Sequence, residues 1–167
     1  MKVLILGGTR FTGKAVVRLL AAAGHEVTVV SRRPGQSDDG VRFETGERDA
    51  CLQRLRGSVF DTCLDFICYG AKDVATVFDR LDPGQYVMVS STWMPRLNAT
   101  AADKVPILSV TRTYLSGKAG AEAEISRLRD GGKSAAIVRL PIILGRTDHT
   151  DRCRFYLSRI FDGRGLL

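Results

Sequence analysis

The sequence predicts an α/β fold, a doubly wound parallel sheet with helices on both faces. Three observations predict it. Short, continuous apolar runs alternate with stretches of helical period, as strands covered on both faces alternate with crossover helices. A glycine-rich turn stands directly between the first apolar run and the first helical stretch. Glycine, or a turn containing it, then closes successive helices before the next strand, at Gly24, at Asp82-Pro83-Gly84 and at Asp130-Gly131-Gly132.

Each element follows in order. Val3, Leu4, Ile5 and Leu6 make a central strand, and residues 12–23 a helix with Val16, Val17, Leu19, Leu20 and Ala23 as its apolar positions. Residues 27–30 form the second strand, and 31–40 a polar loop by its turn chemistry. A short third strand is expected at 41–44 and a helix at 49–55, then a strand at 60–67 and a helix at about 72–81. The run Tyr86, Val87, Met88, Val89, Ser90 is a clear strand. A less regular stretch at 92–110, interrupted by Pro95 and Pro106, precedes a helix at about 113–129, a strand at 135–139 and an amphipathic helix at 154–161.

At 167 residues and 18.3 kDa, with 44% apolar residues, residues 1–167 are expected to form one domain with a normal core. No segment has the roughly 18 apolar residues of a membrane span, and the first strand runs into the glycine turn too soon for a secretion signal. The expected location is the cytoplasm, with no membrane partner. Lys and Arg number 25 against 18 Asp and Glu, a formal charge of +7, which favours an anionic ligand. A phosphorylated cofactor is sufficient explanation. The basic residues are dispersed and form no aromatic-basic tract, which disfavours nucleic acid. Cys51, Cys63, Cys68 and Cys153 have no paired spacing and read as free, mostly buried thiols, without a metal. Cys63 and Cys68 flank one strand at odd separation, so they are expected on opposite faces. His25 reads as a loop-edge residue, and His149, in Asp148-His149-Thr150-Asp151, as part of a polar loop.

The turn Gly7-Gly8-Thr9-Arg10-Phe11-Thr12-Gly13 has the context of a phosphate-binding loop. Glycines let a pyrophosphate approach the backbone, and the helix N-terminus offers unsatisfied N–H groups to the anion. Arg10 stands where many such loops carry a middle glycine, where it either hinders that approach or reaches the adenosine phosphate. After the second strand, where a carboxylate would accept hydrogen bonds from an NAD ribose, the chain has Ser31-Arg32-Arg33. A guanidinium there suits the extra phosphate of NADP. Arg10 and Arg32 therefore point to NADP rather than NAD; the bland alternatives are a ligand-free turn and a solvated pair of surface arginines.

Tyr114 and Lys118 lie four residues apart on one helical face. An ammonium beside a phenol favours the phenolate, which makes proton exchange with a carbonyl or alcohol feasible nearer neutral pH. An exposed helix pair is the alternative. Ser90, Ser91 and Thr92 stand at the C-terminal end of a strand, where parallel sheets bind ligands. Alternation sends only one of the two serines to a given face, and Ser91 is the favoured candidate, against a plain strand-end role.

Residues 3–33, Val87-Met88-Val89-Ser90-Ser91, Tyr114-x-x-x-Lys118-Ala119-Gly120-Ala121-Glu122 and Val138-Arg139-Leu140-Pro141-Ile142-Ile143-Leu144-Gly145 together resemble the extended or atypical short-chain dehydrogenases, the NAD(P)-dependent epimerase/dehydratases. The resemblance covers nearly the whole chain and implies a Rossmann-type nucleotide-binding domain. It implies that Tyr114 is the acid/base, that Lys118 holds the nicotinamide ribose and lowers the tyrosine pKa, and that Ser91 orients the substrate oxygen. By the same resemblance Asp65, Ile67 and Tyr69 lie beside the cofactor, Pro141 near the nicotinamide, and Glu47 at the adenine, where many relatives have Asp. Extended members continue into a smaller C-terminal substrate domain, which is expected to be absent here. The resemblance thus implies a reductase or epimerase-like enzyme for a small carbonyl or hydroxyl substrate, and the chain is then either a piece of a longer protein, a short member whose pocket another copy or a partner subunit completes, or a fold reused without redox chemistry. The alternatives are a nucleotide-binding domain without redox activity, acting as NADP sensor, partner subunit or reused cleft, and then the RNA binding of some atypical members, the chloroplast stem-loop-binding proteins.

Overall fold

The structure is a computed structural model that describes residues 1–35, 40–92, 109–145, 147, 148 and 152–163, with the backbone alone at 109–112 and 152. The order is β1 (Lys2–Leu6), α1 (Phe11–Ala22), β2 (Glu26–Ser31), β3 (Val41–Thr45), α2 (Arg48–Arg54), β4 (Thr62–Asp65), α3 (Ala71–Arg80), β5 (Gln85–Ser91), α4 (Ser109–Asp130), β6 (Ala135–Leu140) and α5 (Arg152–Phe161). The expected alternation of strand and helix is what forms. Most of the irregular stretch expected at 92–110, and His149, lie outside the described residues.

All strand pairs are parallel, in the order β3-β2-β1-β4-β5-β6. The chain winds outward from β1 through β2 to β3, returns to β1's other side at β4, and winds outward again to β6. The reversal between β1 and β4 opens a crevice at the carboxyl ends of the strands, the general ligand site of such sheets.

Alternation along the strands divides the core into two layers. Val3, Ile5, Val27, Val29 and Val41 pack with Val17 of α1 on one face. Leu4, Leu6, Cys63, Tyr86 and Met88 pack on the other with Leu52 of α2, Val74 and Val77 of α3, and Ala121, Ile125 and Leu128 of α4. The central strand is apolar on both faces because both are covered.

β4 is shorter than the run expected at 60–67. The Asp65 carboxylate accepts the backbone N–H of Ile67 at 3.0 Å, a local turn that ends the strand. This also corrects the reading of Cys63 and Cys68. Both lie in the same core layer, because alternation stops at Asp65 and the loop returns Cys68 to Cys63's side. Cys51, Cys63 and Cys68 are buried free thiols and Cys153 is half-buried. Burial pushes the Cys68 thiol up to about 11 and the Cys63 thiol well above the usual thiol range, so both stay protonated at neutral pH.

Candidate functional site

A cleft of about 690 Å³ lies at the carboxyl ends of the strands, where the sheet's winding reverses. Its lining comes from the loop after β1 (Gly7, Thr9, Arg10), the start of α1 (Phe11, Thr12, Gly13) and the end of β2 (Ser31, Arg32, Arg33). Phe66, Ile67 and Tyr69 after β4, with Val89 and Leu140 of β5 and β6, complete it.

The loop between β1 and α1 is built for close approach. Gly7 has φ +90°, a left-handed conformation that glycine adopts without penalty, and a Cβ there would overlap the Ile67 side chain. A Cβ on Gly13 would overlap the Gly7 carbonyl oxygen, so the first turn of α1 can lie against the loop only with glycine at this position. Phe11 carries φ 38°, a strained conformation for a side chain of this size that costs about 1–3 kcal/mol. Its ring lies close to Gly145, beyond β6. The α1 N-terminus has no side-chain cap and no acidic residue in its first turn, so its dipole and N–H groups meet no carboxylate of the helix's own first turn. Arg10, Arg32 and Arg33 are exposed at the same opening, and the Ser31 hydroxyl donates to the Arg33 carbonyl, bracing the turn that carries them. Two close glycine contacts, an uncapped helix start and three exposed arginines thus line one opening, which gives it a positive, anion-attracting character.

Lys118 meets this cleft from behind. The lysine is only 2% exposed, and its ammonium donates to the Val89 carbonyl at 2.7 Å, next to the lining of the cleft. It sits 5.7 Å over the Tyr114 ring and 5.5 Å over the Tyr69 ring, and the two rings are 6.2 Å apart. Burial holds its pKa below the usual lysine range, opposed by Cys68 and by the carboxylates of Asp65, Asp73 and Glu122. The helical spacing of Tyr114 and Lys118 thus does place them together.

The two serines diverge. Ser90 is buried and donates to Glu122 Oε1 of α4 at 2.6 Å. Ser91 alternates to the face of Val89, whose residue lines the cleft, and is half-buried, and Thr92 beyond the strand is exposed. Among the remaining candidates, Glu47 is exposed at the N-cap of α2 and Pro141 is exposed immediately after Leu140; neither lines the cleft. Asp65 is fully buried and turned into the core rather than the cleft. It accepts Arg48 Nη1 at 3.1 Å and Nη2 at 2.7 Å, and the Tyr86 hydroxyl at 2.8 Å. Burial, reinforced by Asp65, pushes the Tyr86 phenol far above the usual tyrosine range and fixes it as a donor.

Sequence reasoning missed Arg48, because a lone arginine at a helix start looks like a surface charge. Its side chain is 11% exposed, and besides Asp65 it donates to the Asp73 carbonyl at 2.9 Å. Asp73 Oδ2 in turn accepts the Tyr69 N–H at 2.6 Å. Arg48 thereby ties both ends of the 66–70 loop to α2. Glu122 was noted only as part of a resemblance. It accepts Arg139 Nη2 at 2.6 Å and Nε at 3.1 Å as well as Ser90, so one carboxylate joins α4, β5 and β6.

The chain matches the model of the NAD dependent epimerase/dehydratase family over residues 3–95, more than half its length. It is 35% identical over 154 residues to the 2'-dehydrokanamycin reductase of Streptomyces kanamyceticus, covering 84% of this chain and 42% of that protein. Among solved structures it resembles the Bordetella bronchiseptica enzyme WbmH in complex with NAD+, with TM-score 0.70 and 15% identity over 98% of this chain and 63% of that one. It also resembles a wide-type short-chain dehydrogenase/reductase from Veillonella parvula in complex with NADP, with TM-score 0.64 and 17% identity over 90% of this chain and 73% of that one. At these identities the structural likenesses establish the fold alone. The chain spans less than half the length of the reductase it matches. The glycine-loop cleft at the sheet's reversal and the family match over its first five strands lead to one assignment: the chain belongs to the NAD-dependent epimerase/dehydratase family.

Proposed function

We propose that this chain is the NADP-binding part of a reductase or epimerase-like enzyme acting on a small carbonyl or hydroxyl substrate. The observation that carries the reading is the convergence, in one cleft, of the α1 N-terminus with Arg10, Arg32 and Arg33. The pyrophosphate would rest against Gly7, Thr12 and Gly13, and the extra phosphate of NADP between the arginines, which no acidic lining residue opposes among the described residues. The reductase relative supports the redox part of the reading.

The bound nicotinamide would supply or accept the hydride. Tyr114 would give its phenolic proton to the substrate oxygen as a carbonyl becomes an alcohol, or take it back in the reverse direction. Lys118 would stabilise the phenolate left behind and orient the nicotinamide ribose, and Ser91 would donate a hydrogen bond to the same substrate oxygen.

Fluorescence titration with NADPH and NADH tests the cofactor. NADPH is expected to bind the more tightly, and Arg32→Asp to lose about 1–3 kcal/mol of NADPH binding while leaving NADH less affected. Failure of both nucleotides to bind would sink the reading. Should binding persist while Tyr114→Phe leaves turnover unchanged, the acid/base assignment is wrong; Ser91→Ala beside Thr92→Ala shows which hydroxyl serves the substrate.

A further inference from the structure

We infer that Tyr69 is a positioning residue of this site, its ring covering the Lys118 ammonium and holding it beside Tyr114. The inference rests on the reading of Tyr114 and Lys118 as an acid/base pair and adds a third aromatic member to it.

Tyr69 lines the cleft and is 57% exposed, yet its backbone is fixed. Its N–H donates to Asp73, whose carbonyl Arg48 holds, and its carbonyl oxygen lies where any Cβ on Gly117 would sit. Gly117 immediately precedes Lys118, so the absence of a side chain there lets the 66–70 loop close onto α4 next to the lysine. The Tyr69 ring lies over the ammonium on one side and the Tyr114 ring on another, while the Val89 carbonyl takes a proton from it. These contacts leave a cation nearly without water, and two aromatic faces and one carbonyl replace its hydration. The charged groups facing it are Asp65 of β4, Asp73 of α3 and Glu122 of α4, with the neutral thiol of Cys68. In this dry setting the ammonium couples to Tyr114 more strongly than it would in water. The contact with the ammonium is made by the ring face of Tyr69.

The test needs no substrate. Tyr69→Ala removes the ring and spares the main-chain contacts, Tyr69→Phe keeps the ring, and Tyr69→Leu keeps bulk without an aromatic face. Acetylation of Lys118 by acetic anhydride, followed by peptide mass spectrometry on the folded chain, is expected to be slow in the native protein and in Tyr69→Phe. It should be about three- to tenfold faster in the alanine and leucine variants, the scale of a lost cation–π contact. Ultraviolet titration of Tyr114, taken as the difference between each variant and its Tyr114→Phe counterpart, should show its ionisation moved to higher pH in Tyr69→Leu than in Tyr69→Phe. Either result absent in the folded leucine variant overturns the inference, as does a phenylalanine variant that behaves like alanine. A Lys118 that labels as expected while Tyr114→Phe retains turnover would overturn the acid/base reading and leave the cover standing.

Discussion

Gly117 is the position where one hydrogen in place of a methyl decides the geometry of the site. It falls inside the Tyr114-to-Lys118 spacing, and its missing side chain admits the Tyr69 carbonyl. Gly117→Ala must push the 66–70 loop off α4. A loss of about 1–3 kcal/mol in denaturant unfolding is expected, as for other overpacked sites, with faster acetylation of Lys118 because the Tyr69 cover is displaced. Unchanged stability and unchanged labelling would show that the loop has room the structure does not give it. At this scale the sequence revealed residue types but not their surroundings. Tyr114 and Lys118 were legible because helical spacing alone puts them on one face. The buried end of Asp65 was not, because its partners Arg48 and Tyr86 are 17 and 21 residues away and only folding brings them together.

Among the elements, two carboxylates act as joints. Asp65 is fully buried against Arg48, so Arg48→Met leaves a charge without its partner and should cost about 3–5 kcal/mol. The double variant Arg48→Met/Asp65→Asn keeps a neutral acceptor for Tyr86 and should be less destabilised than the single one, which chemical denaturation of both would show. Glu122 joins α4 to β5 and β6. Its carboxyl is held below the usual range first by the Arg139 hydrogen bonds, against the opposing effect of burial, with Ser90 assisting. Since the folded value lies below the unfolded one, this contribution is complete above the unfolded pKa of about 4.3 and is lost as pH falls through the folded value. Glu122→Gln should therefore flatten the acid limb of the stability profile and weaken hydrogen-exchange protection in β6. An acid limb identical to the native one would show that the joint contributes nothing. The strands and helices themselves were readable from period. The early end of β4, and with it the shared side of Cys63 and Cys68, was not, because a side chain turning back on its own backbone breaks alternation without changing the apolar pattern.

Among the described residues, most of the exposed large apolar side chains fall toward the C-terminal end of the sequence. Val138, Ile142, Leu144, Phe155, Leu157, Ile160 and Phe161 are all more than 40% exposed and belong to β6, α5 or the segment between them. β6 is also the outermost strand on its side, with one edge unpaired among the described residues. Residues 1–167 on their own are expected to self-associate through this end. Sedimentation velocity should show the weight-average mass rising with concentration, and Leu157→Lys with Phe161→Lys should reverse it. A monomer at all concentrations would mean that this surface is tolerated in water.

The sequence by itself determined the alternating α/β order, the glycine-rich loop between the first strand and the first helix, the basic residues after β2 and the pairing of Tyr114 with Lys118. Each of these depends on neighbours within about one turn or one strand, where backbone periodicity fixes relative position. Only the tertiary structure decided that Arg10, Arg32 and Arg33 share one opening, that Asp65 faces the core, and that Tyr69 lies over Lys118. Those arrangements depend on which strands lie side by side and where each loop crosses the sheet, and residues far apart in the chain meet only when both faces of the sheet have been covered.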